Sequence, residues 1–407
     1  MSVKPLAGVK ILDLTWVYAG PYCTMLLQDM GADVVKVEAP PVGDLVRFLS
    51  PMKNGVSGYF YMVNRGKKSI GLNLKSEAGI SLFKEMVKEF DVVVENFIPR
   101  TMDRLGIGYD VLKEINPKII YASISGFGTY GPYSDRPGLD PVAQAMGGLM
   151  SLTGWPDTPP VKTGPGVADA LAGLYTAFGI EAALLLREKT GIGERIELSM
   201  MDAVFSFLEE AVIRTSMTGD PIPGRGNTDP LGGAPWDAFK SRDGHWIMVC
   251  AIHAHQFASL YELIGRKDLI EEFGGNSPEQ GEKRSRNVLM LNGVFAEYAK
   301  NLTGDELMEM VSKYGVPTGP VKTVNELLHD PHLRARNMVI DINHPKLGQV
   351  STFNQPIKMQ SVELGIAKGE NPLEPDAGEQ SDQILKKYLN MSDHDLARLR
   401  NAKAIWG

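Results

Sequence analysis

In a chain of 407 residues, the carboxylate best placed for chemistry is Asp169, within Thr163-Gly-Pro-Gly-Val-Ala-Asp-Ala-Leu-Ala-Gly173. A Gly-Pro-Gly loop delivers it to the start of a long apolar helix, where the partial positive charge of the helix N-terminus favours an ionised carboxylate. A carboxylate so held can act as a covalent nucleophile. It can equally be a first-turn aspartate that satisfies helix N–H groups, which is the commoner use. Basic residues gather at Arg65, Lys67 and Lys68 and again at Arg100 and Arg104. Local positive charge of this kind suits a phosphate-bearing small ligand or simply a solvated face. The turn Thr15-Trp-Val-Tyr-Ala-Gly-Pro-Tyr22 lacks the GxGxxG of a dinucleotide site. The carboxyl edge of an open parallel sheet still binds ligands, so a ligand edge and a plain turn are both readings of it. Of 7 histidines, only His253 and His255 stand close enough to suggest a metal, and at that spacing they share a face only on a strand. No carboxylate or cysteine set of known ligand spacing accompanies them, so no metal site is expected. Cys23 and Cys250 read as buried small hydrophobes.

The elements that must position these groups follow from pattern. Over the first 200 or so residues, short β-branched runs alternate with helical stretches, as in strands joined by crossover helices in a parallel sheet. The strands are expected at Lys10 to Thr15, Asp33 to Glu38, Asp91 to Phe97, Ile119 to Ser125 and Arg195 to Ser199. Helices are expected at Pro21 to Met30, Ser76 to Phe90 and Arg104 to Ile115. A long helix should begin near Ala168 and run to about Lys189, with Leu171, Leu174, Tyr175, Phe178, Ala182 and Leu185 on one stripe and Gly191 as its stop. Thr218 to Pro235 is dense in Gly and Pro and reads as a loop. Beyond it, a strand at Trp246 to Ile252 and helices at Gln256 to Ile264, Val288 to Lys300 and Thr303 to Tyr314 suggest a smaller α+β domain. A final amphipathic helix is expected near Asp382 to Leu389.

Composition narrows the partners. The 49 acidic residues against 42 basic ones give a net charge of −7, which argues against generic nucleic-acid binding. No uninterrupted apolar run approaches the ~18 residues of a membrane span, and the N-terminus lacks the apolar stretch of a signal peptide. With 2 cysteines far apart, the expectation is a cytoplasmic protein without a disulfide framework.

With these residues in view, the chain resembles the family III coenzyme A transferases, the group containing formyl-CoA transferase, carnitine CoA-transferase and the α-methylacyl-CoA racemases. The resemblance rests on Leu6-Ala-Gly-Val-Lys-Ile-Leu-Asp-Leu14, Ala19-Gly-Pro21, Gly31-Ala-Asp-Val-Val-Lys-Val-Glu38, Val94-Glu-Asn-Phe97, Asp103-Arg-Leu-Gly106, Asp169, Met201-Asp-Ala-Val204 and Gly315-Val-Pro-Thr-Gly-Pro320, in that order. It implies that Asp169 is the nucleophile, passing through an aspartyl acyl anhydride and an aspartyl-CoA thioester. It also implies CoA contacts at Tyr18 and Ala19, at Leu72, Asn73, Leu74 and Lys75, at Asn96, Phe97 and Ile98, at Arg104, and at Pro137, Gly138, Leu139 and Asp140. Gly232, Gly233 and Ala234 are candidates for the acyl pocket, with His253 and His255 as polar contacts. No tightly bound cofactor is implied; acyl-CoA and a carboxylic acid are substrates.

Departures bear on the subclass. The racemases place a catalytic histidine where this chain has Leu139, and formyl-CoA transferases place a glutamine where it has Tyr18. The latter also carry four glycines and a glutamine where Leu231-Gly-Gly-Ala-Pro235 stands, and an arginine falls at Ala39. These differences point away from racemisation and from formyl or oxalyl groups; a bulkier or aromatic dicarboxylic or hydroxy acid such as benzylsuccinate, with succinyl-CoA as donor, is one candidate among many. The alternatives are a racemase-like enzyme and a non-catalytic subunit of a heteromeric transferase. The fold implied is α/β, with a Rossmann-like large domain built from both ends of the chain and a smaller α+β domain, in an interlocked homodimer of ring-like subunits. The corresponding boundaries are 1–200 for the first part of the large domain, 201–225 for a linker, 226–322 for the small domain and 323–407 for a linker and the returning part.

Overall fold

A computed structural model of the chain describes residues 3–228 and 231–407, so the Gly/Pro-rich stretch from Thr218 to Pro235 is covered except for Asp229 and Pro230, which lie outside the described residues. The chain forms two compact units, one from Met1–Met150, Lys162–Asp220 and Pro331–Gly407, the other from Ser151–Val161 and Pro221–Asp330. Residues 201–220 are not a linker: they carry helices Met200–Ser206 and Glu210–Thr218 within the first unit. A short excursion at 151–161 belongs to the second unit, and the chain returns to the first at Pro331.

The strands of the first unit's main sheet are β1 (Lys10–Asp13), β2 (Asp33–Glu38), β3 (Lys68–Leu72), β4 (Val92–Glu95), β5 (Ile120–Ser125) and β6 (Arg195–Ser199). The second unit contributes an antiparallel sheet of β7 (Trp236–Lys240), β8 (Trp246–Cys250) and β9 (Thr318–Pro320). Back in the first unit come a hairpin of β10 (Val339–His344) and β11 (Gly348–Phe353) and the short β12 (Ile405–Trp406). The main sheet runs β12-β3-β2-β1-β4-β5-β6, parallel throughout except for β12 on β3. The inner strands β1, β2, β4 and β5 are buried on both faces, which is why apolar residues crowd their runs, whereas the edge strand β6 is only partly buried. Alternate residues serve two cores. Ile11, Val34, Val92 and Ile120 join one, while Leu12, Val35, Val93 and Tyr121 join the other with Leu82 and Phe83.

Four helices frame the region around Asp169: α1 (Ala19–Asp29), α2 (Asp140–Met146), α3 (Val167–Thr190) and α4 (Met200–Ser206). In α3 the packed face is not the stripe of large residues expected from the sequence. Ala168, Ala172, Gly173, Thr176, Ala177 and Ile180 are buried, whereas Phe178 and Leu185 are 69% and 68% exposed. The reason is close approach to α1: a Cβ on Gly173 would stand 2.6 Å from the Ala19 carbonyl oxygen. Gly173→Ala should therefore cost about 1–2 kcal/mol net, because overpacking outweighs the ~1 kcal/mol gain in helix propensity. A urea melt with a lower midpoint and an unchanged slope is the expected reading. By length and composition α3 would also pass as a membrane span, but its small-residue face packs in the core beside α1.

The single helix expected over Arg104 to Ile115 is two short helices, Thr101–Arg104 and Tyr109–Ile115, because Gly106 turns the chain at φ +69°. Strands β3 and β12 extend the sheet beyond the runs expected from the sequence. Cys23 is fully buried, as a small hydrophobe should be, but Cys250 is only partly so.

Candidate active site

The order of β3-β2-β1-β4-β5-β6 reverses direction between β1 and β4, and ligands of open α/β sheets bind beyond the carboxyl ends of the strands at such a point. Two chain segments leave the sheet there. The Trp16 N–H donates to Asn96 Oδ1 at 2.7 Å and Asn96 Nδ2 donates to the Trp16 carbonyl at 2.8 Å, clipping the segments together. A cavity of about 210 Å³ opens beside them, with Asp169 in its wall. Tyr18, Ala19, Asn96, Phe97, Ile98, Pro137, Gly138 and Leu139 line the same cavity.

Asp169 occupies the first turn of α3, but another carboxylate caps that helix. Asp140 Oδ1 accepts the N–H groups of Ala168 at 2.8 Å and Asp169 at 3.2 Å. Gln144 Nε2 donates to Asp140 Oδ2 at 2.7 Å, and Gln144 Oε1 accepts the Thr163 N–H at 3.0 Å, tying the Gly-Pro-Gly loop to α2. The Asp169 carboxylate itself makes no hydrogen bond among the described residues and is left facing the cavity. Burial first, and the neighbouring Asp140 charge second, push its pKa up to about 7. This reverses the expectation that the helix terminus would hold it firmly ionised, because Asp140 takes the N–H groups that would have done so.

A raised carboxyl pKa has a definite sign for stability. Between the ordinary carboxylate range and pH 7 the native state binds more protons than the unfolded chain, so stability falls as pH rises through that window. Asp169→Asn should thus match the native melting temperature near pH 4 and exceed it increasingly up to pH 8, as measured by thermal melts across that range.

Aromatic residues crowd the same point. Tyr18 stacks on Tyr22 with ring centroids 5.4 Å apart, and Tyr59 lies 5.9 Å away. Burial, then the Asp169 and Asp140 charges, push the Tyr59 hydroxyl up to about 12, so it stays a neutral donor. Tyr59 was not singled out from sequence, nor was Arg136, the one cationic side chain among the described residues lining the cavity, whose guanidinium lies over the Tyr133 ring. The arginine immediately before Pro137-Gly138 was the available signal.

Other expected contacts lie outside this cavity. Leu72 is fully buried in β3, its side chain packed in the sheet core. Asn73 donates through Nδ2 to the Lys403 carbonyl, and its Oδ1 accepts the Lys75 N–H. Leu74 packs partly buried against the second core. Arg104 is exposed and donates to Thr101 Oγ1. Gly232, Gly233 and Ala234 belong to the second unit. There the Gly232 carbonyl accepts from Arg284 Nε, and a Cβ on Gly232 would meet the Gly281 carbonyl at 2.2 Å, so close packing explains that glycine. His253 and His255 stack with centroids 5.5 Å apart at the start of helix Ala254–Leu263. Among the described residues no group of three His, Cys, Asp or Glu side chains is placed to hold a metal.

A doubly wound sheet with a carboxylate-lined crevice at its switch point defines a ligand-binding α/β protein. Comparison with known proteins specifies it: CoA-transferase family III matches residues 6–379. The formyl-CoA:oxalate CoA-transferase of Rhodopseudomonas palustris is 36% identical, over 99% of this chain and 97% of that protein. The succinyl-CoA:mesaconate CoA-transferase of Haloarcula marismortui is 39% identical, over 87% of this chain and 90% of that one. A crystal structure of a CAIB/BAIF family protein from Brucella suis superimposes with a TM-score of 0.82 at 34% identity, covering 95% of this chain and 100% of that one. The chain belongs to the family III CoA-transferases and is an enzyme that moves CoA from an acyl-CoA to a carboxylic acid.

Proposed function

We propose that Asp169 carries this transfer as a covalent nucleophile. An Asp169 oxygen attacks the thioester carbonyl of the donor, giving an aspartyl acyl anhydride and CoA thiolate. The thiolate attacks the aspartyl carbonyl, releasing the donor carboxylate and leaving an Asp169–CoA thioester. The acceptor carboxylate attacks that thioester, expelling thiolate and forming a second anhydride. Thiolate attack on the acyl carbonyl then releases the new acyl-CoA and restores Asp169. Every entering and leaving group is an anion, so no proton is transferred, and the sequence of steps asks for no imidazole where Leu139 stands. The observation that carries this reading is the unpartnered Asp169 carboxylate facing a cavity walled by both the Tyr18 and the Asn96 segments.

Succinyl-CoA is the donor we favour, supported by the succinyl-CoA-using relative and by Tyr18 in place of the glutamine of formyl-CoA transferases. The acceptor is a dicarboxylic or hydroxy acid. The exposed apolar side chains of α3, Phe178 and Leu185 among them, support association of two copies of the chain. A cytoplasmic location accords with two cysteines placed in separate units. Isotope exchange tests the double displacement: labelled succinate should enter succinyl-CoA with no second acid present. Net transfer to an acceptor without such exchange would reject it.

A further inference from the structure

The turn between β1 and α1 is held in a conformation its own residues do not favour. Val17 sits at φ +67°, a left-handed conformation that is a true outlier for a β-branched residue. Its side chain is 40% exposed, so core packing does not impose it. Side chains from distant elements hold the surrounding backbone instead. Lys36 Nζ, on β2, donates to the Thr15 carbonyl at 2.7 Å, and the Val17 N–H donates to Asp44 Oδ1 at 3.3 Å. Lys36 and Asp44 are themselves an ion pair at 3.0 Å with both side chains wholly buried. Asp44 is fixed in turn: its N–H donates to Glu38 Oε1, and Arg47 binds both Glu38 oxygens.

We propose that the Lys36–Asp44 pair is a positioning device that keeps Val17 left-handed and so presents Tyr18 and Ala19 to the CoA cavity; this rests on the reading of that turn as a CoA contact. Strain of this kind persists only where the surroundings over-determine it, and it gathers at ligand clamps. A buried pair that merely stabilised the fold would not need to meet the backbone of the one strained residue in the turn.

The test is a double-mutant cycle on CoA binding by calorimetry, combined with hydrogen exchange of the peptide spanning Thr15 to Tyr18. Asp44→Ala, which removes both the charge and the acceptor of the Val17 N–H, should weaken CoA binding at least about tenfold, the scale set by releasing one strained residue. In a Val17→Gly background, where glycine accepts the left-handed conformation without strain, the same change should weaken binding less than about threefold. Free Asp44→Ala protein should exchange the turn amides at least about tenfold faster than the native protein. Should Asp44→Ala fail to fold, Lys36→Met with Asp44→Ala removes the unpaired buried ammonium and takes the same readings. Unchanged CoA affinity in a folded variant, or an equal loss in both backgrounds, would overturn the proposal. If CoA fails to protect the turn amides of the native protein, the contact reading beneath the proposal falls and takes the proposal with it, even where the variant still speeds exchange.

Discussion

Asp169→Asn should lower the rate of CoA transfer from succinyl-CoA by at least about 10³-fold, the scale seen when a covalent nucleophile is removed. The amide preserves the shape of the side chain and cannot form the anhydride. CoA affinity should stay within about threefold, because the cavity walls at Tyr18, Phe97 and Leu139 are untouched and a neutral residue lowers repulsion toward the anionic ligand. Initial rates and equilibrium binding on the same preparation separate the two effects. A loss of binding as large as the loss of rate would make Asp169 a contact residue rather than a nucleophile.

Asp140 carries the second large effect, through position. It accepts the N–H groups of Ala168 and Asp169, so Asp140→Ala leaves the start of α3 uncapped at a cost of about 1–2 kcal/mol. With the nucleophile no longer anchored, kcat should fall by about 10²-fold, the penalty of a misplacement near 1 Å. Asp140→Asn separates cap from charge, since its amide oxygen still accepts from Ala168. In that variant the acid limb of kcat/KM, expected near pH 7 in the native enzyme from the raised Asp169 pKa, should move to lower pH because the neighbouring negative charge is gone. It should stop short of the ordinary carboxylate range, since burial is the larger cause of the shift. A pH–rate profile from pH 5 to 8 gives the answer directly, and an unmoved limb would remove Asp140 from the electrostatics of the site.

Much of this architecture could be read from residue pattern. The runs at Asp33–Glu38 and Arg195–Ser199 coincide with strands to the residue, the first because an inner strand covered on both sides buries nearly every position, the second because an edge strand alternates, with Ile196 and Leu198 packed on one core and charged residues between them. Strand β3 escaped notice because Lys68-Ser-Ile-Gly-Leu72 is polar at its start and carries Gly71, where a Cβ would strike the Trp406 carbonyl at 2.3 Å. Two residues of β12 carry no pattern at all. The face of α3 was misread for a physical reason: close helix contact selects alanine and glycine, so its larger side chains mark the unpacked side. Asp169 stood out through its Gly-Pro-Gly approach, and the resemblance then assigned it a role. Its environment did not stand out, since Asp140 lies 29 positions away and only folding brings its oxygen to the α3 amides. The strain at Val17 and its link to Asp44 are likewise matters of backbone conformation, which residue types alone do not reveal.

The most direct test of the account is mass spectrometry of the peptide carrying Asp169 after brief incubation of the native enzyme with succinyl-CoA. The mechanism requires a CoA thioester on that peptide, absent from Asp169→Ala and discharged when the acceptor acid is added. An unmodified peptide, in enzyme shown to be transferring CoA under the same conditions, would contradict covalent catalysis at Asp169.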